Sequence, residues 1–235
     1  MAKTSRRERR GTDVNLRTGA QMREYEALAD RVARDVNGKV LDWGCGWGQV
    51  TKLLVDRGVD VEPYDYREEA TAVGTAPLDR YPDITCTFSA EPVALPYEDN
   101  SFDAAVSCGV LEHVQDPDAS LDELHRVLKP GGSLIIIKLP NRRSYLEWIA
   151  KRGGLYYHGA LEHDTLYTRP WARELVGRHG FDVKKVRLAN MLPLTVDSGL
   201  ATRLAPVIWP LNRGLAKIPG LNVLATNVEV DAVAS

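Results

Sequence analysis

Apolar and polar positions along this chain alternate between two periods, and the alternation sets out the elements in order. From Ala20 to about Val36 apolar residues recur at helical spacing, with Tyr25, Leu28, Ala29 and Val32 on one face. An apolar run ends at Val40-Leu41-Asp42 and passes into Trp43-Gly44-Cys45-Gly46-Trp47-Gly48. A second helical pattern follows from Gln49 to Arg57, with Val50, Leu53 and Leu54 on one face. Val59 to Tyr64 reads as a second strand ending at Asp65. Pro63 is awkward there, because proline removes a ladder hydrogen bond, so the strand is expected to stop early or to bulge. Arg67 to Asp79 contains Gly74 and Pro77 and is expected to form only a short helix. Ile84–Phe88 and Ala104–Cys108 read as the third and fourth strands. Leu121–Leu128 is an amphipathic helix ended by Pro130-Gly131-Gly132. Ser133–Leu139 carries the run Leu134-Ile135-Ile136-Ile137, as in a parallel strand buried on both faces.

The remainder is less regular. Asn141–Arg169 mixes aromatic, histidine and charged residues and reads as a lid. Pro170–Gly177 is predicted as a helix and Phe181–Leu188 as a sixth strand. Met191–Leu221 is apolar, but Pro193, Pro206, Pro210 and Pro219 speak against one long helix. Leu221–Val233 reads as the last strand. Alternating strands and helices predict an α/β domain with a mostly parallel sheet. The expected layout is a basic tail over 1–19 and a single domain over 20–235, with lid inserts at about 141–169 and 191–221.

Composition narrows the partners. A chain of 235 residues with 44% hydrophobic and 26% charged residues is ordinary for a globular protein. A formal net charge of -2 supplies no general attraction to nucleic acid, which is not expected as a partner. No apolar run is long enough to span a bilayer. The first ten residues are basic, with Lys3, Arg6, Arg7, Arg9 and Arg10, and have no apolar stretch of a secretory signal. This tail is expected to be solvated, with at most a weak contact to a membrane surface. Cys45, Cys86 and Cys108 are far apart and form no C-x-x-C pair, so disulfides, zinc and other metals are not expected and a reducing cytoplasm is.

The chemistry concentrates in the glycine-rich stretch. A strand, a glycine turn and a helix form the first half of a βαβ unit, and unpaired N–H groups at the helix start suit an anionic ligand group. A dinucleotide fingerprint counted from Gly44 would need its third glycine at Gln49. The pattern is instead Asp42-x-Gly44-x-Gly46-x-Gly48, which resembles the D-x-G-x-G loop of class I S-adenosylmethionine-dependent methyltransferases. Ser101-Phe102-Asp103, Val110-Leu111-Glu112-His113-Val114 and Leu128-Lys129-Pro130-Gly131-Gly132 resemble further hallmarks of that superfamily, in the order of its small-molecule, type 11 branch. The resemblance covers roughly residues 36–139 well and 168–233 loosely.

That resemblance implies a Rossmann-like, doubly wound sheet of seven strands with the last antiparallel. It implies S-adenosylmethionine as cofactor, bound outside the carboxyl ends of the strands. The implied cofactor residues are Asp42, Trp43, Gly44, Gly46, Asp65, Tyr66, Ala90, Glu91 and Cys108. Gly44 and Gly46 would let the backbone approach the methionine portion. Asp42 would shape the loop or accept from the cofactor's ammonium. Asp65 would accept from the ribose hydroxyls, with Glu62 the alternative if Pro63 displaces the strand end. Tyr66 would pack on the adenine, Glu91 would replace the usual adenine-binding aspartate, and Cys108 would line the methionine side. His113 and His163 are the candidate catalytic residues, the first for its place after strand four and the second for its place in the lid beside His158. The expected substrate is a small apolar or aromatic molecule, with oxygen favoured over nitrogen or carbon as acceptor. Methylation of RNA or protein and a non-catalytic cofactor-binding module remain as alternatives. An N-P-P-[YF] signature would favour nucleic-acid bases, and Cys108-Gly109-Val110-Leu111 stands in its place. Either a monomer or a homodimer is compatible.

Overall fold

The computed structural model describes residues 19–68, 73–154, 164–192 and 199–235. The basic tail up to residue 18, together with His158 and His163, lies outside the described residues. Eight strands form one sheet: β1 (Lys39–Trp43), β2 (Asp60–Tyr66), β3 (Gly74–Leu78), β4 (Tyr81–Ser89), β5 (Phe102–Cys108), β6 (Leu128–Pro140), β7 (Phe181–Ala189) and β8 (Asn227–Ala234). Their spatial order is β3-β4-β2-β1-β5-β6-β8-β7. The run from β4 to β6 is parallel, and β8 inserts antiparallel between β6 and β7. The expected seven strands, last one antiparallel, are therefore present, and β3 adds an eighth at the edge.

The period-2 alternation in the strands selects the two faces. Val40, Ala104, Val106, Ile135 and Ile137 pack against α1 (Gly19–Asp35) and α2 (Gln49–Val55) through Tyr25, Leu28, Val32, Val50 and Leu54. Leu41, Trp43, Ala105, Leu134 and Ile136 face α3 (Pro117–Val127) and α5 (Arg169–Gly177) through Leu121, Leu124, Val127, Leu175 and Val176. This is why Leu134–Ile137 is apolar without interruption: both faces are covered. The helix starts are capped by side chains. Asp116 accepts from the Ala119 N–H at 2.9 Å, and Ser144 accepts from the Leu146 N–H at 3.2 Å to begin α4 (Tyr145–Arg152).

Four expectations change. Gly74–Leu78 is a strand, not part of a short helix. It forms a hairpin with β4, burying Leu78 against Ile84, Cys86 and Phe88. Pro77 is tolerated because β3 is an edge strand whose outer side needs no N–H. β2 neither stops nor bulges at Pro63. The Tyr64 carbonyl points toward β1, so the preceding nitrogen points toward β4, where pairing begins only at Tyr64. Gly199–Leu215 is one continuous helix, α6, with Pro206 and Pro210 inside it. Both prolines are exposed, and the Thr202 carbonyl that Pro206 leaves without its helix partner lies against Gly19 of α1. Finally, the last strand begins at Asn227, after a 3₁₀ turn over Leu221–Leu224.

One polar clamp ties α3 to the chain beyond α5. His179 places Nδ1 2.6 Å from Asp122 and Nε2 2.8 Å from Asp118. Burial alone would lower the His179 pKa, but the two carboxylates outweigh it and raise it above 6.5. A raised folded pKa means that the clamp's contribution is complete below about pH 6.5 and is lost as pH rises through the folded value. Since both aspartates are substantially exposed, His179→Ala should cost on the order of 1 kcal/mol in the acidic range. The gap from the parent should close in alkaline buffer, read by urea unfolding at both pH values.

Candidate active site

The carboxyl ends of β1, β2, β4 and β5 converge on the glycine loop. The Tyr64 carbonyl accepts the N–H groups of both Gly44 and Cys45 at 2.9 Å, which fastens the loop to the end of β2. Gly44 and Gly46 both have positive φ, 73° and 54°. Their surroundings differ. A Cβ on Gly44 would lie 2.4 Å from a Val110 methyl, whereas one on Gly46 would meet nothing within 4 Å. The close approach at Gly44 is thus made by the protein's own loop after β5, and the open space lies beside Gly46.

Asp65 stands next to that space. Its carboxylate accepts the Gly46 N–H at 3.1 Å and the Tyr66 N–H at 2.9 Å. Burial raises its pKa, partly offset by those two N–H groups and by Arg67. Glu62 is engaged elsewhere, by Thr87 at 2.8 Å, Tyr97 at 3.4 Å and Lys39 at 3.4 Å. The Arg67 N–H donates to the Ser89 carbonyl and the Glu91 N–H to the Ser89 hydroxyl, so exposed Tyr66 and the Ala90-Glu91 turn flank Asp65 together. Trp43 does not join them. Its side chain is buried in the core on the α3 side, leaving only its backbone near the loop.

Asp42 is buried and accepts from the Thr51 hydroxyl at 2.5 Å, linking the end of β1 to the first turn of α2. Burial pushes its pKa up to about 6, against the Thr51 bond and with help from Asp65. Cys108 ends β5, and burial pushes its thiol up to about 12, so it is a protonated packing group.

Beyond Cys108 the chain turns at Gly109, and the His113 N–H donates to the Val110 carbonyl. The His113 ring is half-exposed, with Nδ1 2.9 Å from Oδ1 of buried Asp164 and Nε2 3.9 Å from Glu112. The segment before α5 holds this loop: the Thr165 N–H donates to the Glu112 carbonyl, and the Tyr167 hydroxyl to the Leu111 carbonyl at 3.0 Å. Asp164 carried no motif in the sequence. Two more residues were missed. Lys138, at the end of β6, has φ 68° beside a register shift in the β6–β8 pairing. Its Nζ donates to the Tyr25 hydroxyl at 3.3 Å, and Gln21 lies 2.6 Å from the same oxygen. Helical spacing placed Tyr25 in the core, and Lys138 was passed over inside the apolar run Ser133–Leu139. Among the described residues no group of His, Cys, Asp and Glu is arranged to hold a metal, and no helix is long and apolar enough to cross a membrane.

Comparison with known proteins agrees with this arrangement. The family model described as a methyltransferase domain matches residues 41–136. The chain is 32% identical to the demethylmenaquinone methyltransferase of Renibacterium salmoninarum, over 60% of this chain and only 60% of that protein's length. It is 31% identical to a ubiquinone biosynthesis O-methyltransferase of Pseudomonas aeruginosa, over 69% of this chain and 72% of that one. The fold matches an S-adenosylmethionine-dependent methyltransferase of Thermotoga maritima with a TM-score of 0.61 at 16% identity, covering 97% of this chain and 95% of that one. With these relatives the chain belongs to the class I S-adenosylmethionine-dependent methyltransferases, type 11 branch.

Proposed function

We propose that this protein transfers a methyl group from S-adenosylmethionine to a hydroxyl of a small, quinone-related aromatic acceptor. The observation that carries the reading is the His113–Asp164 pair, set on the loop whose Val110 packs into Gly44. The names of the two relatives, both concerned with quinones, support the ring-bearing acceptor. In this reading residues 20–235 act as one domain, and the inserts at about 141–169 and 191–221 cover the acceptor.

Bound S-adenosylmethionine would supply a methyl group on a sulfonium, a good leaving group, so orientation carries much of the acceleration. Asp65 would hold the ribose hydroxyls, since an ionised carboxylate only accepts and each of its oxygens has a further lone pair. Tyr66, Ala90 and Glu91 would flank the adenine. Gly46 would admit the ligand's backbone contact, and Asp42 would answer its positive charge. An ionised Asp164 requires the proton on His113 Nδ1, which leaves the Nε2 lone pair to take the acceptor's hydroxyl proton. Asp164 would then stabilise the imidazolium. Lys138 and Tyr25 would orient the acceptor from the β6 side.

Three outcomes test this. Gly46→Ala should weaken S-adenosylmethionine binding at least tenfold in calorimetry, with the αL strain costing roughly 1–2 kcal/mol of stability. Gly44→Ala should lose more stability, because its Cβ strikes Val110. Equal cofactor affinity in Gly46→Ala and the parent would remove Gly46 from the cofactor site.

Asp42 gives a pH signature. Its folded pKa of about 6 exceeds the ordinary 3.8, so its contribution is complete below 3.8 and lost as pH rises through 6. The loss is roughly 3 kcal/mol by the usual conversion. A cationic ligand should favour the ionised form, so binding near pH 6 should release part of a proton. Calorimetry in buffers of different ionisation enthalpy should detect that release in the parent and not in Asp42→Asn.

For the acceptor, transfer of a labelled methyl to hydroquinones and catechols should be measured beside RNA and protein. His113→Ala should slow single-turnover transfer about 10²–10⁴-fold with cofactor affinity kept. Asp164→Asn should slow it less. Unchanged rates in both variants would leave positioning alone as the source of catalysis, and methylation of RNA or protein only would overturn the acceptor class.

A further inference from the structure

The helix α6 is apolar on two opposite sides. Ala205 and Asn212 are buried toward α1 and the sheet, with Ile208 and Trp209 half-buried beside them. On the other side Leu200, Leu204, Val207 and Leu211 follow the i, i+4, i+7, i+11 spacing of a single stripe. They are 68%, 44%, 65% and 55% exposed. A surface helix normally presents a polar outer face, and a helix apolar all round has a second apolar neighbour. Beyond the helix Ile218, Leu221 and Leu224 are exposed as well. A contiguous exposed patch of this kind marks an interaction surface.

Charge identifies the neighbour. From Gly199 to Asn227 the sequence contains no Asp or Glu, while Arg203 and Lys217 are exposed along the patch. The first residue of α1, Gly19, packs against Thr202 and Ala205 of α6, with its Cβ position 3.1 Å from each. The chain therefore enters the described fold beside this helix. The residues before that point carry Lys3, Arg6, Arg7, Arg9, Arg10 and Arg17 against only Glu8 and Asp13. The basic sequence therefore joins the described fold at Gly19, next to α6.

We propose that the outer face of α6 seats on an anionic lipid bilayer surface. The four stripe residues enter the acyl boundary, and Arg203 and Lys217 face the headgroups. An amphipathic surface of this kind gains from apolar burial and from attraction to anionic lipid at once. A two-fold dimer through the same patch is disfavoured by the same charges. It would set each basic residue against copies of the others with no carboxylate between them. The proposal does not depend on which acceptor is methylated.

The test is flotation of the full chain with vesicles of phosphatidylcholine alone and of phosphatidylcholine mixed with phosphatidylglycerol. The parent should float with the mixed vesicles only, and the bound fraction should fall as salt rises. Leu204→Asp combined with Val207→Asp should stay unbound, with circular dichroism and S-adenosylmethionine affinity unchanged. Should that pair fail to fold, Arg203→Glu with Lys217→Glu changes only exposed charges and should also abolish flotation. A parent that does not float with the mixed vesicles overturns the proposal, as do folded variants that float as well as the parent. A parent that sediments as a dimer, and that Leu204→Asp turns into a monomer without any vesicle binding, assigns the patch to a second copy instead.

Discussion

The Tyr64 carbonyl, accepting two successive N–H groups of the glycine loop, is the contact on which the candidate site depends. It fixes the end of β1 against the end of β2 and so brings Asp65 under the Gly46 N–H. The same loop accommodates Val110 at Gly44, which registers the loop after β5 on the other side. The ends of β1, β2 and β5 are thereby held together by the backbone bonds to Tyr64, the Asp65 carboxylate and the Val110 side chain. A site built on such contacts within the fold is held in place before any ligand arrives.

Around that frame the protein accumulates buried charge. Asp42 and Asp65 lie at the loop, and Glu24 and Lys138 at the edge nearest α1. Burial raises the pKa of Asp42, Asp65 and Glu24 alike. At Asp42 the hydrogen bond from Thr51 works against burial, and the pKa still stands raised to about 6 after that contribution. The groups around the ionised carboxylate therefore compensate its burial only in part. Lys138 illustrates the same tension. Its left-handed backbone is unfavourable for a residue with a Cβ, yet it is what turns an ammonium toward Tyr25.

The two groups of contacts differ in how they are held. Around the glycine loop the partners are neighbours in the β1–β2–β5 ladder. Around the loop after β5 they come from farther along the chain, with Asp164 and Tyr167 reaching it from before α5, while α6 packs on α1. Insert residues are free of the sheet's register, which allows one outer surface, on α6, to remain apolar while the inner surface completes the fold.

The sequence by itself determined the elements whose pattern is local. The apolar runs of β1 and β6 and the period-3.6 patterning of α1 and α3 follow from which faces are buried, and they were legible with boundaries shifted by a few residues. The glycine spacing was legible for the same reason, since a tight turn restricts residue type position by position. Signals whose meaning depends on surroundings were not. Pro77 reads as a helix stop until the sheet makes it an edge residue, and Pro63 reads as a strand end until the ladder shows which side its nitrogen faces. Pro206 and Pro210 read as breaks until packing on α1 holds α6 together. The choice of Asp65 over Glu62 as the carboxylate beside the loop likewise needed the register. Pairings across long stretches of chain, His113 with Asp164 over 51 residues and Tyr25 with Lys138 over 113, were decided by the tertiary structure alone. No local pattern encodes them, because loop closure and strand order, rather than the chemistry of either residue, bring the partners together.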